Sequence, residues 1–210
     1  MATLKYLSIG ISLLLATTIA AAGPLKNLDT QSLTGTVIDQ PKPIKDFSLT
    51  RIDGKPFNTK SLKNHWTFLF FGFTRCGYVC PTSMTALKQV YAELQKNASV
   101  PKPQTVFVSI DPERDDLTRI RNYVTSFNQN FTGATGTKAA LNQLTGQLGI
   151  LYMKITHADQ KTKSSNDYDI DHTGSILLVD PEGELIAVFS MPHQPDRIVK
   201  DYKAITSHYV

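Results

Sequence analysis

The feature that most constrains this chain is the run WTFLFFGF at Trp66–Phe73, nearly continuous in apolar side chains and holding five aromatics. A half-exposed strand alternates apolar with polar residues, so an unbroken run of this length suits a strand covered on both faces. Such a strand needs a sheet with helices on either side, and the rest of the chain offers them. Gln104–Ile110 (QTVFVSI) reads as a second buried strand. From Pro81 onward, Met84, Leu87, Tyr91 and Leu94 fall at helical spacing, which predicts a helix to about Asn97. Asp115 is placed to cap a helix carrying Leu117, Ile120, Val124 and Phe127. Phe131–Thr135, Leu151–Thr156, Ser175–Val179 and Leu185–Phe189 read as further strands. Leu141, Leu144 and Leu148 mark another helix, and Ile198, Val199, Tyr202 and Ile205 a last one. Ile44–Thr50 and Pro56–Thr59 flank Arg51-Ile-Asp-Gly54, a hairpin signal. Asp159–Asp169 is polar and reads as a mobile loop. Strands alternating with helices, closed by two adjacent strands, predict an α/β fold. Its central mixed sheet is mostly parallel in the first half, with helices on both faces and an N-terminal hairpin.

Residues 1–22 order a basic Lys5, an apolar run and Ala20-Ala21-Ala22, the pattern of a secretory signal peptide cleaved after Ala22. The alternative is an uncleaved membrane anchor, since Tyr6–Gly23 gives 18 weakly apolar residues, the lower limit for a span. Either reading exports the folded part, to the periplasm or its equivalent. Residues 23–43 then read as an extended leader and 44–210 as one domain. With 41% hydrophobic and 19% charged residues the 210-residue chain is neither disordered nor polytopic. Its net charge of +4 is scattered, and no basic run exists to grip nucleic acid. Two cysteines exclude a disulfide-stapled scaffold and a four-thiolate zinc site.

Those cysteines, Cys76 and Cys80, stand in GFTRCGYVCPTS between the buried strand and the first long helix. Backbone N–H groups at a helix start favour thiolate over thiol. If the helix already includes Gly77 to Cys80, i,i+4 spacing puts both sulfurs on one face. Four helical residues rise about 6 Å, within the Cα separation a disulfide tolerates. The pair can cycle between dithiol and disulfide, or hold a soft metal ion. Three intervening residues, rather than the two usual in disulfide oxidoreductases, favour metal. A structural disulfide is the third reading, weakened because so short a loop constrains the unfolded chain little. Of the histidines, His65 borders the buried strand, His157 and His193 read as solvent-facing, and His208 lies near a fraying terminus. His172, between acidic positions and a buried strand, is the candidate for chemistry. Asp111, Glu113, Arg114 and Asp115 follow the second buried strand and read as capping plus an ion pair. Met153 and Met191 read as core packing.

Three segments together, FGFTRCGYVCPTS from Phe71, VSIDPERD at Val108–Asp115 and DYDIDHTGSILLVDPEG at Asp167–Gly183, resemble the signature blocks of the Sco/SenC family. NFTGATGT at Asn130–Thr137 resembles a weaker fourth, and the likeness extends over residues 44–208. The resemblance implies a thioredoxin-like fold and copper held by two cysteines and a histidine, which by position are Cys76, Cys80 and His172. It implies one copper ion per monomeric chain, as Cu(I) with Cu(II) open as a second state. It also implies a metallochaperone rather than an enzyme. The expected partner is the copper-bearing subunit of cytochrome c oxidase, whose dinuclear site the protein supplies or maintains, or another copper or thiol protein. The alternative is a thiol–disulfide reductase in which Cys76 attacks and Cys80 resolves. Cu(I) prefers thiolate and accepts imidazole at low coordination number, whereas zinc would seek a fourth ligand such as Asp171 or water. Gly77 and Tyr78 stand where the family usually has proline and an acidic residue, and Arg75 where histidine is common. Exchanging a carboxylate for a guanidinium is expected to lower the thiol pKa values.

Overall fold

The computed structural model describes residues 28–155 and 168–209. In chain order these run through β1 (Thr36–Val37), the hairpin β2 (Ser48–Arg51) and β3 (Pro56–Asn58), α1 (Thr59–Leu62), β4 (Thr67–Gly72) and α2 (Val79–Gln95). Then come β5 (Gln104–Ser109), α3 (Leu117–Phe127), β6 (Thr132–Thr135) and α4 (Lys138–Gln147). A ribbon of β7 (Tyr152–Ile155) and β8 (Asp169–His172) precedes β9 (Ile176–Val179), β10 (Leu185–Phe189) and α5 (Pro195–Ser207).

The aromatic run is the centre of the molecule. All six residues of β4 are buried, and because successive side chains point to opposite faces, both faces of the sheet are covered. β4 pairs in parallel with β5, and β5 in parallel with β6. On its other side β4 meets β9 antiparallel, and β10 and β1 continue outward. The β2–β3 hairpin completes the far edge against β6, giving the eight-strand order β1-β10-β9-β4-β5-β6-β2-β3. This is the expected mixed sheet, parallel through β4, β5 and β6. The hairpin turn forms where Asp53-Gly54 predicts it, with Gly54 at φ 81°, a conformation other residues rarely adopt.

Three local expectations change. The first long helix begins at Val79 with Tyr78 as its N-cap, so Cys76 lies in the preceding loop and the i,i+4 argument does not apply. Asp116, not Asp115, caps α3, its side chain accepting the Arg119 N–H. The polar stretch before His172 ends in a strand: β8 pairs antiparallel with β7, from Tyr152↔His172 to Ile155↔Asp169. The rest of that expected loop lies outside the described residues, as do the signal-peptide or anchor segment and His157. Among the described residues no helix is long and apolar enough to cross a membrane. The segment read as a leader lays β1 on β10. Just before it, the N–H groups of Thr34 and Gly35 each donate to Asp201 Oδ2 at 2.8 Å, on the buried side of α5.

Candidate metal centre

β4 delivers the chain to a short loop, Phe73–Tyr78, and the loop delivers it to α2. At the loop the Cys76 N–H donates to the Phe73 carbonyl at 3.2 Å, a turn that brings the Cys76 side chain back over the helix start. Its sulfur accepts the Cys80 backbone N–H at 3.3 Å. Tyr78 offers no capping side chain, so a sulfur takes the place of the usual capping oxygen at the second helical residue. Cys80, in the first turn, points inward and is fully buried, while Cys76 is half-buried. Gly72 makes room for it: a Cβ there would stand 2.5 Å from Cys80 Sγ.

The loop is fixed from behind by Asp115. Its carboxylate accepts the Thr74 N–H at 2.9 Å, the Thr74 hydroxyl, and the Ser109 hydroxyl at 2.6 Å. One buried carboxylate thus ties the cysteine loop to the end of β5, which is why Asp115 is not available as a helix cap.

His172 arrives on β8. Its Nε2 lies 3.6 Å from Cys80 Sγ, and its Nδ1 lies 3.2 Å from the Thr173 carbonyl. A carbonyl can only accept, so Nδ1 carries the proton and Nε2 presents a lone pair to the sulfurs. Metal-binding imidazoles are commonly oriented in this way. The ring is packed edge-on by Phe70 and Phe73, with centroids 6.4 and 5.9 Å away. The strand behind it is anchored by a second buried cluster. Asp111 and Arg114 form an ion pair with both side chains almost fully buried, and Tyr168 donates its hydroxyl to Asp111. The Arg114 guanidinium lies 3.4 Å over the Tyr168 ring and donates to the Tyr168 carbonyl at 2.7 Å. Glu113, at the same bend, pairs with Lys138 of α4 and Lys154 of β7. The VSIDPERD block, read as capping plus an ion pair, therefore positions the histidine-bearing ribbon.

The structure brings Cys76, Cys80 and His172 together: one donor atom from each lies within 4.8 Å of the others. Metal–sulfur and metal–nitrogen bonds of about 2.0–2.3 Å place trigonal donors about 3.5–4 Å apart, so the set can close on one ion with small adjustments. Asp171 is not part of it, because neighbouring residues on a strand face opposite ways. The thiols are inequivalent. A hydrogen bond from Cys80 holds the Cys76 thiol well below the usual range, with further help from the backbone N–H groups of Cys80 and Tyr78. The same bond, burial and the neighbouring charge push Cys80 up. The lowering comes from these donors and not from Arg75, which is exposed.

The remaining candidates lie elsewhere. His65 and His208 are exposed. His193, expected to face solvent, is half-buried with Nε2 3.2 Å from the Phe189 carbonyl, and burial lowers its pKa. Met153 and Met191 are not core residues, being 62% and 42% exposed. Sequence reasoning missed the anchoring role of Tyr168, for which an aromatic beside an acidic strand gave little signal.

The family model for SCO1/SenC matches residues 36–207. The human mitochondrial SCO1 homologue is 34% identical over 143 residues, 68% of this chain and 46% of the relative. The matched segment thus spans under half of that relative, as it does of the Arabidopsis thaliana mitochondrial SCO1 homologue 1, of which 43% is covered. Two solved structures share the fold. The solution structure of apo Sco1 from Thermus thermophilus has a TM-score of 0.71 at 33% identity, covering 83% of this chain and 97% of that one. The crystal structure of Arabidopsis thaliana ScoI with copper bound has a TM-score of 0.72 at 28% identity, covering 80% and 100%.

Proposed function

This chain belongs to the SCO1/SenC family, and on that premise we propose that it is an exported copper carrier. In this reading it takes one ion at Cys76, Cys80 and His172 and passes it to, or maintains, the dinuclear copper site of cytochrome c oxidase. The observation that carries the reading is the meeting of two sulfurs and an imidazole nitrogen within 4.8 Å from segments 92 positions apart. Two soft thiolates and one imidazole suit Cu(I), which accepts low coordination. Cys80 holds the ion from inside the fold. Cys76, half-buried, keeps one side of the site open to a recipient. His172 sits on a ribbon separate from the main sheet, so it can leave as a recipient's ligand enters. A site closed by four protein ligands would lack that exit.

Anaerobic titration of the reduced chain with Cu(I) under a competing chelator tests this. The expected result is one-to-one binding that is abolished in Cys76→Ala or Cys80→Ala and weakened in His172→Ala. Stoichiometric copper on the double cysteine variant contradicts it.

One observation favours a second reading, thiol–disulfide exchange. The accessible Cys76 is the ionised member of the pair and the buried Cys80 holds the proton, the arrangement of an attacking and a resolving thiol. Cys76 thiolate would displace one sulfur of a partner disulfide, and Cys80 would then displace Cys76's new partner. The substrate leaves with two electrons as a dithiol and Cys76–Cys80 is left oxidised, to be reset by an external dithiol reductant. Turnover of disulfide substrates by copper-free protein, unaffected by His172→Ala, would distinguish it.

A further inference from the structure

The ribbon that carries His172 has a second face. Its register sets Tyr152 opposite His172 and Lys154 opposite Ile170, and Met153 opposite Asp171 and Ile155 opposite Asp169. Alternation sends the first four toward the body of the protein and the second four outward, with Leu151 extending the outer row. Among the described residues nothing covers that outer row: Leu151 is 77%, Met153 62% and Ile155 40% exposed. Single exposed apolar residues are ordinary, but three in line on one strand face form a contiguous patch of the kind that marks an interaction site. Asp169 and Asp171 run alongside, both exposed, and neither is in an ion pair among the described residues. A concavity of about 500 Å³, lined by Leu151, Tyr152, Met153, Asp171, His172 and Thr173, joins this face to the imidazole.

We propose that the outer face of the β7–β8 ribbon is the docking surface for the copper recipient, a protein presenting apolar side chains ringed by lysine or arginine. The proposal rests on the carrier reading of the same site. The class of partner follows from the carboxylates. Any chain that covers Leu151, Met153 and Ile155 also covers Asp169 and Asp171, and a neutral or acidic partner would bury them unpaired, which is strongly unfavourable. A basic partner converts them into interfacial ion pairs and gains speed of encounter from them. Docking there grips the strand that bears His172, so the recipient's ligands arrive beside the donor that must be exchanged.

Two synthetic peptides probe this, each with a Cys-X-X-Cys pair to accept Cu(I) and flanking leucines, one carrying four lysines and the other four glutamates. Stopped-flow transfer from the Cu(I)-loaded chain at low salt is expected to be about tenfold faster to the lysine peptide, shrinking to about twofold at high salt. Asp169→Asn with Asp171→Asn should erase the preference. Leu151→Ser with Met153→Ser should slow transfer to the lysine peptide about tenfold. The asparagine pair preserves size and shape, and so decides the matter if the serine pair disturbs the ribbon. Chelator competition on every variant separates the two levels of the argument. If the parent chain binds no Cu(I), the carrier reading falls and this proposal with it. If it binds Cu(I) normally but serves both peptides alike, the docking proposal alone is overturned. A concentration-dependent dimer that Leu151→Ser dissolves would also overturn it, assigning the face to a second copy of the chain.

Discussion

At the scale of single residues, one proton is divided unequally between two sulfurs. Cys76 receives a hydrogen bond from the Cys80 side chain and another from the Cys80 backbone, so its thiolate persists where an ordinary thiol would be protonated. Between pH 8 and 6 a thiol of pKa about 8.5 loses about a hundredfold in thiolate and so in alkylation rate. Cys76, lying below that window, should react with iodoacetamide at a rate that changes less than about threefold over the same range. A tenfold fall per pH unit would mean that the thiolate is not held. Gly72 works by what it lacks. An alanine Cβ would stand 2.5 Å from Cys80 Sγ and 3.1 Å from the Phe107 ring, and neither neighbour has free space in a buried layer. Gly72→Ala should therefore lower stability by about 1–3 kcal/mol, read by urea denaturation. By displacing one donor it should also weaken Cu(I) binding by at least about tenfold. Unchanged affinity would show that Cys80 does not hold the ion from its present position.

At the scale of elements, two buried carboxylates on the bend after β5 divide the work. Asp115 ties down the cysteine loop, and Asp111 with Arg114 and Tyr168 ties down the ribbon. Asp115→Ala strands the Thr74 and Ser109 donors and should cost about 3 kcal/mol, with loss of copper binding. The neighbouring Asp116→Ala, which removes only a helix cap, should cost about 1 kcal/mol and leave copper binding intact. Equal effects from the two substitutions would contradict this assignment. Tyr168→Phe removes one hydroxyl bond to Asp111, at about 1 kcal/mol. Because the bond anchors the strand of His172, the variant should release Cu(I) to a chelator several-fold faster than the parent. A release rate equal to the parent's would show that the ribbon is held by other contacts.

At the scale of the whole molecule, a sheet built around one apolar strand gathers sulfurs and imidazole from segments 92 positions apart. That strand, its partner β5 and the helical spacing after Pro81 were legible in sequence because burial leaves a local pattern. Other features depend on distant partners, and no window of sequence contains them. β8 is polar at alternate positions and owes its strand character to pairing with β7, so the polar run Asp159–Asp169 reads as loop to its end. Of the adjacent Asp115 and Asp116, only the positions of Thr74 and Ser109 decide which is the cap. Met153 is apolar but exposed, since apolar character alone does not say which face of a ribbon is covered. The segment before Ile44 is likewise part of the assembly: Thr34 and Gly35 both donate to Oδ2 of the buried Asp201. A chain started at Ile44 leaves that carboxylate without these two donors, and should unfold about 3 kcal/mol more readily in urea than one started at Leu28. Equal stability would show the segment to be an appendage. The central claim, that Cys76, Cys80 and His172 share one copper ion, is tested most directly by X-ray absorption at the copper edge of the Cu(I)-loaded, reduced chain. The account predicts two sulfur scatterers and one imidazole, with the imidazole signature lost and both sulfurs kept in His172→Ala. A parent spectrum without imidazole, or one that His172→Ala leaves unchanged, would contradict it.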